Sequence, residues 1–144
     1  MNVQQLLDGK GTAVATIRAD ATLADATAAL RDHGVGALVV SADGRELAGI
    51  LSERDVVRAM AAHGGSTLGR EVASAMSSDV VTCRPADTCD ELMAMMTERR
   101  IRHLPVVDDR GFLAGIVSIG DVVKARLGQL ELENNQLHEY IQAR

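Results

Sequence analysis

The stretch LAGILSERDVV, residues 47–57, returns 66 residues later as LAGIVSIGDVV, residues 113–123. Extending the comparison to residues 16–57 and 82–123 needs no gap, and 15 of the 42 aligned pairs are identical. Random pairing at ordinary residue frequencies would give about two or three identities. The chain therefore contains an internal duplication, and a repeat of this kind has to be recognised before any single motif is interpreted.

Each copy carries the same order of secondary-structure signals. A short apolar run leads to Thr22 or Thr88, where an acidic residue three positions later completes a capping box and predicts a helix start. Gly34 predicts the end of the first of these helices. Two strand-like apolar runs with turn residues between them follow, and a second helix begins after Ser52 or Ser118. The predicted order in each copy is β-α-β-β-α, which places the chain in the α+β class.

The length of each copy predicts how the two are arranged. A unit of about 60 residues buries little surface and is only marginally stable alone, so the copies are expected to pack together with approximate two-fold symmetry. We predict repeat 1 at residues 1–63, a linker at 64–70, repeat 2 at 71–127 and a C-terminal helix at 128–144. Such symmetry generates two related clefts between the repeats.

Composition excludes several classes of function. A net charge of −5 disfavours binding to nucleic acid or anionic membranes, and Phe112 and Tyr140 are the only aromatic residues on which bases could stack. No apolar run approaches the roughly 18 residues of a membrane span, and the first residues lack the features of a secretory signal. We expect a cytoplasmic protein with no nucleic-acid or membrane partner, in which Cys83 and Cys89 are buried thiols and bind no metal.

The motif Ser-x-x-Asp occurs in both copies, at Ser52/Asp55 and Ser118/Asp121, where an apolar strand becomes a helix. Free backbone N–H groups at a helix start favour anions, and short polar side chains there can project into a cleft. The same residues also suit an ordinary helix N-cap with an acid in the first turn. The residues alone leave both interpretations open.

These motifs, in duplicate and in order, make the chain resemble a tandem pair of CBS domains, also called a Bateman module. The resemblance rests on G-h-h-S-x-x-D-h-h at residues 49–57 and 115–123 and on RIRHLPVVD at residues 100–108. The pattern V-x-T-h-x-x-x-x-T-h-x-[DE] at residues 14–25 and 80–91 also matches. The resemblance covers about residues 1–127, so it implies a stand-alone pair with no catalytic domain attached.

The resemblance implies a regulatory sensor that binds adenosine-containing ligands, such as AMP, ADP, ATP, NAD or S-adenosylmethionine, between the repeats. In such pairs the aspartate of the motif holds the ribose, a role that falls here to Asp55 and Asp121. Strand residues would enclose the adenine, and basic side chains would contact phosphate. The predicted ligand-binding residues are Thr16, Ile17, Ala37, Leu38, Ser52, Arg54, Asp55, Thr82, Cys83, Arg102, His103, Leu104, Pro105, Ser118 and Asp121. No catalytic cofactor is expected.

The two copies differ where phosphate would lie. Arg54 in the first copy has Gly120 as its counterpart in the second, whereas Arg102 and His103 in the second copy align with a glycine and an alanine in the first. Unequal clefts are therefore expected, although the sequence does not tell which would bind more tightly.

The C-terminal segment carries Leu127, Leu130, Asn134, Leu137 and Ile141 at the 3-4-3-4 spacing of a coiled coil. A polar residue at an a position, here Asn134, fixes register. The alternative is that this helix packs on its own chain. CBS pairs commonly dimerise, so the resemblance favours a homodimer aided by this segment and acting on an unidentified target protein.

Two other functions stay open. The protein could be a structural or adaptor dimer whose clefts hold no ligand. It could also be an enzyme or redox protein that uses Cys83, Cys89 and His103, although the spacing of the two cysteines does not match a zinc site. The sensor hypothesis predicts binding that depends on Asp55 or Asp121.

Overall fold

The computed structural model describes residues 1–143 and confirms the predicted α+β class. A short N-terminal helix, α1, spans Val3–Lys10. The elements of the first repeat are β1 (Thr16–Ile17), α2 (Leu23–His33), β2 (Ala37–Val40), β3 (Gly49–Ser52) and α3 (Glu53–His63). Those of the second repeat are α4 (Cys89–Arg99), β4 (His103–Val107), β5 (Leu113–Ser118) and α5 (Ile119–Gln142). Two short 3₁₀ helices, Gly64–Gly69 and Val72–Ser74, connect the repeats.

The predicted helix signals act as expected in both repeats. The capping boxes at Thr22 and Thr88 are formed, with the backbone N–H of Asp25 and of Glu91 each donating to the threonine Oγ1 over 3.1 Å. Gly34 ends α2 in the left-handed conformation that glycine favours, with φ at 62°. Capping thus fixes the bounds of these helices from local sequence.

The two sheets differ in their first strand. In repeat 1, β1 pairs parallel to β2, and the N–H of Val39 donates to the carbonyl of Ala15 over 3.0 Å. The aligned residue in repeat 2 is Pro105, which has no N–H to donate. The short apolar run at residues 80–83, which leads to Thr88 as the run containing β1 leads to Thr22, therefore forms only one parallel bridge, between Cys83 and Val106. In both repeats the next two strands pair antiparallel.

The buried side chains form two cores, one in each repeat. The core of repeat 1 comprises Leu23, Ala26, Leu30, Leu38, Val40, Leu51 and Val72. The core of repeat 2 comprises Val3, Leu6, Leu7, Cys83, Cys89, Leu92, Met96, Leu104, Val106, Val117 and Val122. Their separation agrees with a duplicated unit in which each copy packs its own helices on its own sheet.

Each core also receives a segment from outside its β-α-β-β-α unit. Val72, which follows the linker, is buried in repeat 1, and its N–H donates to Ala21 over 2.8 Å. Val3, at the start of α1, occupies the equivalent place in repeat 2, with its N–H donating to Asp87 over 2.8 Å. The side chains of α1 thus pack in repeat 2, although the sequence-based boundaries assign residues 1–63 to repeat 1.

The last helix is longer than a repeat requires. α5 runs without interruption over 24 residues, so the segment predicted as a C-terminal helix continues the final helix of repeat 2. The side chains at residues 131–143 are all exposed, and Arg144 lies outside the described residues. Among residues 1–143, no helix combines the length and the apolar character that crossing a membrane would need.

Two aligned glycines give a matched pair of substitutions. We expect Gly49→Ala to lower the free energy of unfolding by about 1–3 kcal/mol, because the new Cβ would lie 2.8 Å from the backbone oxygen of Ser77. Gly115→Ala should cost less, because its Cβ would meet only the end of the Leu7 side chain, also at 2.8 Å. Urea unfolding of both variants checks the order, and a Gly115→Ala variant that is the less stable of the two would contradict it.

Candidate functional site

One cleft of about 380 Å³ is lined by residues of both repeats. Repeat 1 contributes the loop between α2 and β2 and the segment before β1. Repeat 2 contributes the start of β4, the last part of β5 and the start of α5. The lining residues are Lys10, Ala13, Ala15, Gly34, Val35, Gly36, Ala37, His103, Ile116, Ser118 and Asp121. The cleft has apolar walls and a charged end, which suits a ligand of mixed character.

The charged end is built around Asp121 at the start of α5. Its Oδ2 accepts the N–H of Ser118 over 2.9 Å, and its own N–H donates to the Ser118 Oγ over 3.2 Å. Lys10, from α1, donates to the same Oδ2 over 2.6 Å and to the carbonyl of Ile116 over 2.8 Å. Oδ1 accepts none of these bonds, so one carboxylate oxygen is left for a donor in the cleft.

The charge of Asp121 follows from these contacts. Burial by itself raises the pKa of a carboxyl group, but the hydrogen bond from Lys10 and that from the Ser118 backbone outweigh it, so the pKa of Asp121 is lowered. The side chain is therefore an anion and a pure acceptor at neutral pH. Such a group can accept hydrogen bonds from the hydroxyls of a ligand.

His103 forms one wall, where the two repeats approach closely. It starts β4, paired with Ser118 on β5. A Cβ on Gly36 would lie 2.8 Å from Glu53 Oε1 and 3.2 Å from His103 Cε1, so this approach leaves no room for a side chain at residue 36. Burial lowers the pKa of His103, against the opposing influence of Glu53 and Asp121. The imidazole is therefore neutral near pH 7 and can accept as well as donate.

The equivalent motif in repeat 1 has a different environment. Asp55 Oδ2 accepts the N–H and the Oγ–H of Ser52 over 2.8 and 3.0 Å, but within the described chain no ion pair like that of Lys10 reaches Asp55. It faces a separate cleft of about 310 Å³ with Arg58, His63 and Arg70 among its lining residues. The duplication thus gives two capping motifs in unequal surroundings.

The structure groups some predicted site residues and separates others. Ala37, His103, Ser118 and Asp121 line the 380 Å³ cleft, and Ser52, Arg54 and Arg102 line a smaller one of about 130 Å³. Outside both clefts, Leu38, Cys83, Leu104 and Pro105 have buried side chains, Ile17 and Thr82 are half-buried, and Thr16 is exposed.

The matches to a known family agree with the duplication. The model of the CBS domain matches twice, at residues 11–62 and 70–128. The chain belongs to the CBS domain family. The resemblance proposed from the repeated motifs is therefore confirmed, and both matches exclude the N-terminal helix and most of the C-terminal extension.

Known relatives agree with this membership. The mitochondrial CBS domain-containing protein CBSX3 of Arabidopsis thaliana is 40% identical over 127 residues, which are 85% of this chain and 61% of the relative. The chain thus spans somewhat under two thirds of that protein. A CBS-domain containing protein from Agrobacterium tumefaciens is 48% identical, with a TM-score of 0.82 over 87% of this chain and 98% of that one. The CBS domain pair of protein MJ0100 shares the fold, with a TM-score of 0.78 at 22% identity over 90% and 98% of the two chains.

Several residues of the cleft in this CBS-domain pair were not predicted from the sequence. Lys10 is the most consequential, because it is the cation that touches Asp121. No local signal marks it, since its position depends on α1 packing against repeat 2. The alignment of the two copies makes Gly36 the counterpart of Arg102, but its lack of a side chain is what allows His103 to approach.

The two cysteines are buried, as the sequence predicts, and neither is in a disulfide. Burial raises the pKa of the Cys83 thiol to about 12 and raises that of Cys89 as well. Both side chains are therefore protonated thiols rather than nucleophilic thiolates. In the described residues no cluster of three or more histidine, cysteine or acidic side chains is arranged to hold a metal ion.

Proposed function

We propose that this CBS-domain pair is a regulatory module, without catalytic activity of its own, that binds an adenosine-containing ligand in the cleft at Asp121. The observation that carries the proposal is a charged carboxylate at a helix start, inside a cleft that both repeats line. Oδ1 of Asp121 would accept the ribose hydroxyls, and the Ser118 hydroxyl would lie beside them. A ligand that contacts both repeats can alter how they are held together.

Other groups of the cleft suit the rest of such a ligand. The apolar side chains of Ala37 and Ile116 suit the faces of an adenine ring, and His103 offers a hydrogen-bonding edge. Lys10 lies at the charged end with an ammonium group that would suit a phosphate or a carboxylate. AMP, ADP, ATP, NAD and S-adenosylmethionine all present these features, and the proposal covers this class of ligand.

Support from a relative comes at the level of the fold. The crystal structure of the CBS domain pair of MJ0100 is a complex with 5′-methylthioadenosine and S-adenosyl-L-methionine. Those ligands share the adenosine group that we propose for this chain. Because the two sequences are 22% identical, the assignment to Asp121 depends on the contacts of this chain rather than on that relative.

The two motifs are not proposed to be equivalent. Asp121 faces the cleft between the repeats, whereas Asp55 lines a cleft formed by α3 and the connecting segment. We propose that the Asp121 cleft is the principal site. A second site at Ser52, Arg54 and Arg102, next to Asp55, would be weaker because its cleft is only about 130 Å³.

Calorimetric titration of AMP, ATP, NAD and S-adenosylmethionine tests the proposal on the wild type, Asp121→Asn and Asp55→Asn. We expect at least one ligand to bind the wild type at micromolar concentration, and Asp121→Asn to weaken it by about 10–100-fold. Loss of a hydrogen bond to a charged group costs about 1.5–3 kcal/mol. Asparagine keeps a side-chain oxygen for the helix cap, so both variants should stay folded by circular dichroism.

Asp55→Asn is the matched control, because the same substitution in the equivalent capping box should leave the affinity at the principal site unchanged. If Asp55→Asn alone weakened binding, the assignment to the Asp121 cleft would be wrong. If none of the four ligands bound the folded wild type, the sensor function would be rejected in favour of an adaptor that acts through protein contacts.

We further propose that the module acts as a cytoplasmic homodimer on a separate target protein. Apolar side chains on the outer faces of α3 and α5 support a dimer, since Val57 is 66% exposed and Leu127 is 55% exposed. Exposed apolar surface of this kind marks an interaction site more often than an ordinary surface.

A further inference from the structure

Five exposed apolar side chains of α5 lie on one face along most of the helix, whereas Leu132 and Tyr140, which are also exposed, lie outside that face. Val123, Leu127, Leu130, Leu137 and Ile141 are between 42% and 59% exposed. With Asn134, which is also exposed, they follow the alternating spacing of four and three residues that defines the a and d positions of a coiled coil. Val123 extends the sequence-derived pattern by half a heptad into the body of the protein. We call these six residues the α5 seam.

The main contacts of α5 with its own chain lie away from the a and d positions. Ala125, Gly128, Gln129 and Leu132 line a cleft against α1, and Val122 is buried in the core of repeat 2. In the same heptad these residues occupy b, c and f positions, which point away from a and d. The chain therefore uses the outer positions of the heptad itself and leaves the seam free for another helix.

Charged residues beside the seam distinguish the two possible orientations of a pair. In a parallel pair, each g position faces the e position five residues later on the other helix, so Arg126 faces the partner's Glu131, and Glu133 faces the partner's His138. Opposite charges meet in the first of these contacts. In an antiparallel pair a positions pack against d positions, so the seam would pair residue 123 with 141, 127 with 137 and 130 with 134, and the Glu133 side chains of the two helices would lie close together and repel.

We propose that two copies of this chain pair through the α5 seam as a parallel, in-register two-stranded coiled coil. Asn134 occupies the central a position and faces the partner's Asn134, an arrangement that fixes register in two-stranded coils. The pairing specifies how the dimer of the proposed function is held, and so it rests on that dimer. It places both modules at the same end of the coil, with the two Asp121 clefts on the outer sides of the pair.

A cysteine placed at the end of the seam tests the orientation in the full chain. In a parallel pair the two Ile141 side chains are adjacent, whereas in an antiparallel pair that packs Val123 against Ile141 they are about 27 Å apart. We expect Ile141→Cys to form a disulfide-linked dimer under mild oxidation. Glu139→Cys, at an outer f position of the same exposed turn, is the matched control and should cross-link several-fold less.

Sedimentation velocity of the wild type and Leu137→Asp separates the pairing from the dimer itself. Leu137 is 56% exposed, so the substitution should leave the monomer folded and weaken dimerisation at least tenfold. A monomeric wild type at micromolar concentration overturns both the dimer and its pairing. If the wild type is a dimer and Leu137→Asp leaves it intact, the pairing alone is overturned. The pairing alone is also overturned if the wild type is a dimer but Ile141→Cys cross-links no better than Glu139→Cys. A cross-link that appears only when Val123→Cys and Ile141→Cys are mixed shows an antiparallel pair and also overturns it.

A charge exchange supplies an independent test of register. Residues 126 and 131 are five apart and do not face each other on one helix. Arg126→Glu and Glu131→Arg should each weaken the dimer by about three- to tenfold, and the double variant should recover most of the loss. Recovery requires contact between copies, so additive losses would contradict the parallel register.

Discussion

Deletion of residues 2–10 is expected to lower the free energy of unfolding by at least about 4 kcal/mol, because fully burying one aliphatic side chain contributes about 1.5–3 kcal/mol. The segment carries Val3, Leu6 and Leu7, which are 0%, 7% and 2% exposed and pack in the core of repeat 2. Repeat 2 should therefore become unstable through the loss of residues that precede repeat 1.

Urea unfolding followed by circular dichroism measures this effect. Leu7→Ala is the matched point variant and should cost about 2–5 kcal/mol, as large-to-small changes in cores do. Gln4→Ala, an exposed substitution on the same helix, should change stability by less than about 0.5 kcal/mol. An unchanged midpoint for the deletion would mean that α1 does not contribute to the core of repeat 2.

The deletion also removes Lys10, so ligand affinity gives a second readout. Lys10 holds Asp121 through a 2.6 Å ion pair, which links the position of α1 to the charged end of the cleft. The helix therefore belongs to the fold and to the candidate site at once. This double role is a reason to examine the point variants of α1 before interpreting any binding data on a shortened chain.

The role of α1 also shows where prediction from the sequence ends. Helix caps depend on residues three positions apart, so Thr22, Ser52, Thr88 and Ser118 could be predicted from local spacing, and all four form capping boxes. The duplication likewise predicts two similar units. Neither signal tells which unit receives α1, because that choice depends on contacts between residues about 100 positions apart.

The candidate site was predictable to a similar degree. The motifs placed Ser118 and Asp121 at a helix start, and the family resemblance placed His103 near them. Lys10 and the close approach at Gly36 depend on how the repeats pack, which no single motif encodes. The two sheets also differ because of a single residue. Pro105 in repeat 2 has no backbone N–H to donate, and this shortens a strand that is retained in repeat 1.

Leu38→Ala and Leu104→Ala are each expected to lower the free energy of unfolding by about 2–5 kcal/mol. The two leucines are aligned in the duplication and both are 0% exposed, one in each core. Removing three carbon atoms from either site loses buried apolar surface and leaves a cavity that a close-packed core fills only in part. Because the strands they lie on begin with Ala37 and His103, each loss should also loosen one wall of the cleft.

Chemical unfolding of the two variants beside Leu68→Ala measures the effect, since Leu68 is 46% exposed and its truncation should cost less than about 0.5 kcal/mol. Comparable decreases in the free energy of unfolding for Leu38→Ala and Leu104→Ala would mean that the two cores contribute similarly to stability, despite the shorter sheet of repeat 2. A large loss in only one variant would mean that the duplicated units have diverged energetically as well as in sequence.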